Sequence, residues 1–347
     1  MNLSTRGWLA LSIFFSVMVI LLIFATTFNQ ETIGYILSFN LFFLGLAILC
    51  RFIALVLWGM RIQLMSASLG YPVQFSHCIN MVLAGLLAGT ITPGQAGGEP
   101  VRVHELYRAG VKIGDATAVV IMERVLDGIV LTAMGIILML LMTGFIVSIL
   151  NPALIFLVII AWSFLIGFLL IPVMAIRFPE KTKSFLMTLV HWLVPRVSRF
   201  FASPQAFMDR VDHEIDNLSE SMTRFTGTAW KGLLFGGIVT AFFWISEFLV
   251  ASVIMMGLGL GPLILESFFF QILIAIIMMV PLTPGSSGVT ELSTSSLYAL
   301  IIPTGMIGIF VILWRFVTFY LNIVLGAMAG LTIFKRELKH NQETEAS

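Results

Sequence analysis

The amino-acid sequence predicts an all-α integral membrane protein with about six full transmembrane helices and two re-entrant helical hairpins, arranged as an inverted repeat. Two observations predict this fold class. First, 59% of the 347 residues are hydrophobic and 11% are charged, with a mean hydropathy of +1.03, a balance that is typical of membrane proteins. Second, two glycine-rich loops of the same pattern lie 191 residues apart, which indicates an internal repeat.

The two glycine-rich loops keep their register into the helices that follow them. The first reads TPGQAGGE over residues 92–99, and the second reads TPGSSG over residues 283–288, with Glu291 shortly after. Each loop is followed by a long apolar segment with one deep arginine, Arg124 in the first and Arg315 in the second. These two arginines are also 191 residues apart. The sequence therefore predicts two related halves, with the working parts at their junction.

Six full spans are predicted in chain order. They cover residues 8–28, 33–59, 113–143, 150–176, 228–258 and 304–334. Two hairpins, at about 76–110 and 264–302, lie between the second and third spans and between the fifth and sixth. In each hairpin the apolar run reaches its Pro-Gly turn before it is long enough to cross about 30 Å of hydrocarbon as a helix. We expect both hairpins to be re-entrant, with their turns buried in protein or lining a wet cavity.

The lysines and arginines predict the orientation of the chain in the membrane. Of the 19 in the sequence, Arg51, Arg124 and Arg315 fall well inside predicted spans, and Lys231 lies in the first turn of one. The others fall in the N-terminus, in 61–112, in 177–231 and in the C-terminal tail, and the alternate loops contain none. By the positive-inside rule, the basic segments and both termini are cytoplasmic in a multi-pass protein of the cell (cytoplasmic) membrane.

The same orientation makes the two hairpins enter from opposite faces of the membrane. The repeat half at about 33–143 is then inverted relative to the half at about 228–334, within a single polytopic domain of residues 1–347. The segment between the halves, about 177–227, is a predicted amphipathic cytoplasmic linker, because its apolar residues recur at helical spacing between charged ones. We expect no metal site. The one alternative would use four charged or polar residues of the linker, namely Asp209, Asp212, His213 and Asp216.

Arg124 and Arg315 are the strongest candidates for functional residues. At 1.5 Å per residue they lie about 16 Å and about 18 Å into their spans, so both are expected near the midplane. An arginine at that depth costs at least about 2.5–3.5 kcal/mol and persists only where it has a partner or meets water. Glu123 and Asp127 lie beside Arg124 in sequence and either is a candidate for its counter-ion, whereas Arg315 has no acidic neighbour in sequence.

Two interpretations of these arginines stay open. In the first, buried pairs of Arg124 with Glu123 or Asp127 and of Arg315 with Glu291 lock the hairpins to the spans. We also expect each hairpin carboxylate to meet the arginine of the following span, Glu99 with Arg124 and Glu291 with Arg315. In the second, the arginines bind an anionic group such as a phosphate, which suits the planar guanidinium fork and the N–H groups of glycine-rich turns at helix N-termini. The predicted substrate-binding residues are Arg124, Arg315, Gly94, Gly97, Gly98, Gly285, Ser286, Ser287 and Gly288.

Several further charged residues are predicted to take part. The gating or proton-coupling candidates are Glu99, Glu291, Glu123, Asp127 and Glu247. Glu247 lies in mid-span and is expected either to pair with Arg315 or to line a cavity. Arg51 is expected to snorkel to the cytoplasmic interface. Three basic residues at the mouth of the first hairpin suit anionic headgroups as they enter, although positive-inside charge alone also explains them: Arg102, Arg108 and Lys112.

These motifs carry a family resemblance. The stretch TPGQAGGEPVR over 92–102, followed by ERVLD over 123–127, resembles the membrane domain of the lysylphosphatidylglycerol synthase/flippase family, and so does PGSSG over 284–288 with Glu291. The resemblance covers residues 10–335. It implies a bacterial or archaeal cell-membrane protein with a flippase-type role for anionic or aminoacylated phospholipid, or for a related lipid carrier. Because the sequence ends at Ser347, we expect no aminoacyl-transferase domain and no synthase activity.

The sequence therefore predicts a lipid translocator that moves an anionic phospholipid or a polyprenyl-phosphate type of carrier between leaflets. We expect no enzymatic activity, no cofactor and, with a net charge of +1, no nucleic-acid partner. One alternative is an anion or small-solute channel with the two loops as its constriction. Another is an accessory membrane subunit of a separate lipid-modifying enzyme. An enzyme that acts on lipid phosphates would need a nucleophile or metal cluster, of which only scattered serines and carboxylates are candidates.

Overall fold

The computed structural model describes residues 5–92, 94–149, 152–178, 180–181, 184, 187–188, 204–280 and 283–345. Within these ranges the regular secondary structure is helical, which confirms the all-α class. The helices are α1 Thr5–Thr27, α2 Gln30–Ser38, α3 Leu41–Ser68, α4 Phe75–Thr90, α5 Gly98–Arg108, α6 Ile113–Leu141, α7 Thr143–Ile149, α8 Pro152–Arg177, α9 Pro204–Thr226, α10 Trp230–Gly257, α11 Ile264–Met279, α12 Val289–Tyr298, α13 Thr304–Arg315, a π-helical turn Phe316–Tyr320, and α14 Leu321–Glu345.

Four helical stretches among the described residues are long and apolar enough to span a membrane: α3, α6, α10 and the continuous run 304–333. The α1–α2 pair, bent by 116°, gives a fifth at most. The predicted span 33–59 is displaced, because Asn29 caps α2 and Asn40 caps α3 through their side chains. The chain therefore turns at residues 39–40, and the long helix runs on to Ser68.

The antiparallel pair of α3 and α10 forms the centre of the bundle. At one end the backbone N–H of Asn40 donates to the carbonyl of Gly257 at 3.0 Å. At the other end Gly232 lies against Ser68, so close that a Cβ at Gly232 would overlap the serine side chain. Two glycines of α10 bring the helices close together, since Gly232 lies against Ser68 and Gly236 against Met65.

Two helical hairpins begin at opposite ends of this central pair. The first consists of α4 and α5 and follows the Ser68 end of α3, whereas the second consists of α11 and α12 and follows the Gly257 end of α10. Their turns meet, since the N–H of Gly285 donates to the carbonyl of Thr92 at 3.0 Å. A Cβ at Gly285 would lie 2.7 Å from the carbonyl oxygen of Thr90, so glycine permits this approach.

The two turns share an unusual backbone conformation. Gly94 and Gly285 both have φ of +58°, and the next residues, Gln95 and Ser286, have φ of +59° and +54°. Left-handed conformation is uncommon outside glycine, so two consecutive left-handed residues at matched positions show that the sequence repeat is also a local structural repeat. The two turns differ at the matched positions Gly97 and Gly288, where φ is −69° and +85° respectively.

The linker contains the predicted amphipathic helix, which is α9. It packs on α6, where its Glu214 accepts a hydrogen bond from the N–H of Gly114 at 2.8 Å and its Ser221 donates to Asp115. Asp115 also accepts from Tyr71, and burial beside this carboxylate raises the pKa of the tyrosine. The side chain of Asp209 lies outside the described residues, and no three metal-ligating side chains converge among those that are described.

Candidate functional site

Glu99 and Arg124 form the ion pair of the first half. Glu99 lies in the first turn of α5, and its Oε1 accepts from Arg124 Nε at 3.0 Å and lies 2.8 Å from Nη2. Arg124 also donates to Asp127 at 3.1 Å, one turn further along α6. The Arg124 and Glu99 side chains remain 28% and 32% exposed. The predicted pairing of the first hairpin with the following span is therefore present, and it is accessible.

Of the two candidate counter-ions, Asp127 accepts a hydrogen bond from Arg124, whereas Glu123 faces the other side of α6. Its Oε1 accepts from Arg61 at 2.8 Å and from the indole N–H of Trp58 at 2.9 Å. Arg61 also donates to Asp127 at 2.6 Å and to the hydroxyl of Thr240 at 3.2 Å. The Arg61 side chain is 1% exposed, so this is a buried double ion pair that joins three helices.

Arg102 does not line the mouth of the first hairpin, contrary to the prediction. It is 2% exposed, and its guanidinium lies 5.0 Å from the ring centroid of Trp58. Glu99 lies 3.5 Å from its Nη2 and Glu123 lies 3.8 Å from its Nε. Neither nitrogen has a hydrogen-bond partner, and neither does Glu123 Oε2. The other two mouth residues, Arg108 and Lys112, are exposed.

Glu291 and Arg315 form the ion pair of the second half, as predicted. Arg315 Nε donates to Glu291 Oε1 at 2.7 Å, with side chains 2% and 0% exposed. The same oxygen accepts from Ser16 of α1, and Oε2 accepts from the N–H of Gly288 at 2.7 Å. Arg315 also lies 4.2 Å above the ring of Phe319. Every carboxylate oxygen is thus satisfied, and the pair is sealed.

The serines of the second loop are buried with this pair. Ser287 is 1% exposed; its hydroxyl lies 3.1 Å from that of Ser12 and accepts from Arg315 Nη2 at 3.4 Å. Ser286 donates to the carbonyl of Met278 at 3.1 Å. Both hydroxyls are therefore engaged within the protein in this conformation.

The backbone amides of Gly97, Gly98 and residues 285–288 are also engaged internally. In the first loop Gly97 donates to the Thr92 hydroxyl at 2.8 Å, and Gly98 donates to Gln95 at 3.3 Å. In the second loop the amides of residues 285–288 donate to carbonyls or to Glu291. We expected these amides to face an anion. In this conformation they hold the turns together. The exposed hydrogen-bond donors are instead those of the Arg124 side chain.

Glu247 and Arg51 pair with each other. Arg51 is 3% exposed, donates to Glu247, and donates twice to the Asn322 side chain, at 3.0 and 3.1 Å. The prediction that Arg51 snorkels to the interface is therefore wrong. Glu247 does not contact Arg315, because it meets α3, whereas Arg315 points to the second hairpin. These contacts join three helices, α3, α10 and α14.

Arg61 is the main residue that the sequence argument missed, because the predicted second span ended at residue 59. One signal could have found it. Glu123 and Asp127 are two carboxylates on one apolar span with a single arginine beside them, so a second buried cation was required. The α1 serines that reach the second loop, Ser12 and Ser16, carry no comparable signal.

Residues 8–326 match the family model described as the lysylphosphatidylglycerol synthase TM region. The chain belongs to this family. It is 32% identical over 339 residues to a UPF0104 membrane protein of Archaeoglobus fulgidus, with 96% of this chain and 100% of the relative covered. A UPF0104 membrane protein of Pyrococcus horikoshii is 25% identical over 313 residues, with 87% and 90% covered. No solved structure matches the chain.

A third relative is a UPF0104 membrane protein of Methanothermobacter thermautotrophicus, 24% identical over 254 residues, with 71% of this chain and 72% of the relative covered. The family match confirms the resemblance drawn from the two loops. It establishes a membrane protein of the lysylphosphatidylglycerol synthase transmembrane-region family, which is consistent with a lipid-related role in the membrane.

Proposed function

We propose that this family member is a lipid translocator that carries the headgroup of an anionic phospholipid or lipid-phosphate carrier between leaflets. One observation carries the proposal. The Glu99–Arg124 and Glu291–Arg315 pairs hold equivalent places in the two halves, yet the first is about one-third exposed and the second is sealed. A carrier that opens its site to one side at a time requires this combination of equivalent and unequally accessible elements.

An inverted repeat across the membrane is part of the proposal. Hairpins that start at opposite ends of the antiparallel α3–α10 pair, turns that meet at Thr92 and Gly285, and matched left-handed residues in both turns support it. In this arrangement the hairpins are re-entrant, and the six spans comprise α1, α3, α6, α8, α10 and the run 304–333. The termini and α9 lie on the cytoplasmic side, in accordance with the positive-inside rule.

The proposed cycle exchanges the states of the two pairs. In the present conformation Arg124 is accessible, and the bond between Gly285 and Thr92 holds the hairpin turns together. Separation of the turns would break this bond, expose Arg315 and allow the first pair to close. Glu99 and Glu291 then act as gates that neutralise the arginines when no lipid is bound. The acyl chains stay in the bilayer while only the headgroup crosses.

Leaflet exchange in proteoliposomes tests the proposal. Vesicles with purified protein and fluorescent phosphatidylglycerol are treated with an impermeant quencher, and the protected fraction is followed over time. Wild type is expected to exchange lipid, and Arg124→Gln to lose this activity. Arg177→Gln, an exposed arginine at the end of α8, is the matched control and should behave as wild type.

Ion flux in the same vesicles separates the alternatives. Anion flux without lipid exchange would support the channel and contradict the translocator. Absence of both activities, restored only when a lipid-modifying enzyme is added, would support an accessory subunit. If Arg124→Gln leaves lipid exchange intact, the Glu99–Arg124 pair does not take part in transport.

A further inference from the structure

The carboxylate of Glu99 occupies a position that suits an anion from outside the protein. Its Oε1 lies 2.8 Å from Arg124 Nη2 and 3.5 Å from Arg102 Nη2, so two guanidinium groups converge on one oxygen. One of them is accessible and the other is buried. Two arginines around one acidic oxygen resemble the bidentate arrangement by which arginines bind phosphate.

Arg102 is held in a prepared but unsatisfied position. It is 2% exposed, and its Nε and Nη2 have no hydrogen-bond partner. Leaving buried charged donors without partners is costly, so such groups in a native protein require an explanation. The surroundings fix the side chain, since Trp58 stacks on its guanidinium. A Cβ at Gly85 would lie 3.3 Å from Arg102 Cγ, so this glycine leaves room for it.

The charges around Glu99 balance only while its carboxylate is in place. The cluster contains three arginines, Arg61, Arg102 and Arg124, and three carboxylates, Glu99, Glu123 and Asp127, which give a formal sum of zero. If Glu99 swings away from the arginines, the remaining five groups carry one positive charge. In a poorly solvated site such an excess is strongly unfavourable unless an anion replaces the carboxylate.

We infer that Arg102 and Arg124 together bind a phosphodiester with one negative charge. In the ligand-free protein the carboxylate of Glu99 occupies the position of that phosphodiester. A phosphodiester restores the balance of the cluster. A phosphomonoester with two charges overcompensates it, and the cation of a zwitterionic headgroup adds a positive charge to a cluster that the phosphodiester has already balanced. This assignment deepens the proposed function and rests on it for the role of the site in transport.

Binding to short-chain lipids tests the inference. Native mass spectrometry of the full-length protein in detergent gives the affinities for dioctanoyl phosphatidylglycerol, phosphatidate and phosphatidylcholine at mildly alkaline pH. Wild type is expected to bind phosphatidylglycerol about tenfold or more tightly than the other two. Glu99→Gln removes the internal competitor and is expected to tighten phosphatidylglycerol binding by a further factor of about ten. Glu31→Gln, an exposed glutamate of α2, is the control.

Arg102 is tested in a charge-balanced background. Arg102→Gln alone leaves the cluster with one uncompensated negative charge and risks misfolding, so the informative variant is the double change Arg102→Gln with Glu99→Gln. It removes one charge of each sign and is expected to bind phosphatidylglycerol at least about tenfold more weakly than Glu99→Gln alone. Soluble glycerophosphoglycerol, which has the same phosphodiester without acyl chains, identifies the source: binding as tight as that of the lipid would assign the site to a free phosphodiester.

The outcomes separate this inference from the proposed function. If Glu99→Gln changes the affinity less than about twofold, or if the double variant keeps the affinity of Glu99→Gln, the inference is wrong even where lipid exchange occurs. If both variants behave as expected but wild type exchanges no lipid between leaflets, the site assignment stands and the translocator proposal fails.

Discussion

The Glu99–Arg124 and Glu291–Arg315 pairs come from the same sequence motif and have opposite environments. Both place a carboxylate in the first turn of a hairpin helix against an arginine in the following long helix. The first pair is about one-third exposed and leaves Arg102 unsatisfied beside it. The second is closed by Ser16, by the Gly288 amide and by the Phe319 ring. The same sequence motif therefore forms an ion pair twice, but the motif does not determine whether the pair is exposed or buried.

The helices that carry the two arginines also differ. α6 continues regularly through Arg124, whereas a π-helical turn, Phe316–Tyr320, follows directly after Arg315. π-helical turns are rare and often occur at functional sites. This one places Phe319 under the guanidinium and aligns Tyr320 with Ser16, to which its hydroxyl donates at 3.1 Å. The π-helical turn thus forms part of the cover over the Glu291–Arg315 pair, and α6 has no counterpart of it after Arg124.

The largest expected effect concerns the buried support of the open pair. Arg61→Gln leaves Glu123 and Asp127 with too few cationic partners in a buried site. Removal of one member of a buried ion pair costs about 3–5 kcal/mol, so a loss of stability of that size is expected in thermal unfolding of the detergent-solubilised protein. Lys112→Gln, an exposed basic residue, should have little effect. A loss below about 1 kcal/mol would mean that water or lipid compensates the carboxylates.

Neutralising the two paired arginines tests the comparison directly. Arg315→Gln is expected to cost about 3 kcal/mol, because it leaves Glu291 charged and buried. Arg124→Gln is expected to cost about 1 kcal/mol, since its pair is partly exposed and such pairs contribute little. Both values come from the same unfolding measurement. Equal costs would contradict the distinction between a sealed and an accessible half.

Replacing the first glycine of each turn compares the two turns. Gly285→Ala combines a left-handed backbone with a Cβ 2.7 Å from the Thr90 carbonyl oxygen. We expect it to cost about 2 kcal/mol or more and to weaken the contact between the hairpins. Gly94→Ala meets the same backbone strain, for which about 1 kcal/mol is expected. If Gly94→Ala is the more damaging change, the turn of the first half is the tighter one.

The smallest expected effect comes from the seal of the closed pair. Ser16→Ala removes one hydrogen bond to Glu291 and should cost about 1–2 kcal/mol. It should also make a cysteine at position 287 more reactive toward a water-soluble maleimide, tested with Cys50 and Cys78 replaced by serine. Thr26→Ala is the matched comparison on α1, because the exposed Thr26 hydroxyl donates to carbonyls of its own helix. Unchanged reactivity would show that Ser16 does not contribute to closure.

The sequence predicted the features that recur along the chain. Composition alone required an apolar helical protein, and the repeated loops located the two turns that touch in the structure. The deep arginines required carboxylates, and the loop register proposed Glu99 and Glu291 as their partners. Both pairings are present because hairpin and following span are joined by a short stretch of chain, which restricts the possible partners to neighbours in sequence.

The tertiary structure alone decided the partners that come from distant elements. Arg51 meets Asn322 across 271 residues of sequence, and Arg61 meets Glu123 across 62. Hydrophobic periodicity shows which face of a helix is buried but not which helix covers it. The accessibility of the two pairs is undetermined by the sequence for the same reason. It depends on whether other helices, such as α1 with Ser16, pack over a motif that both halves share.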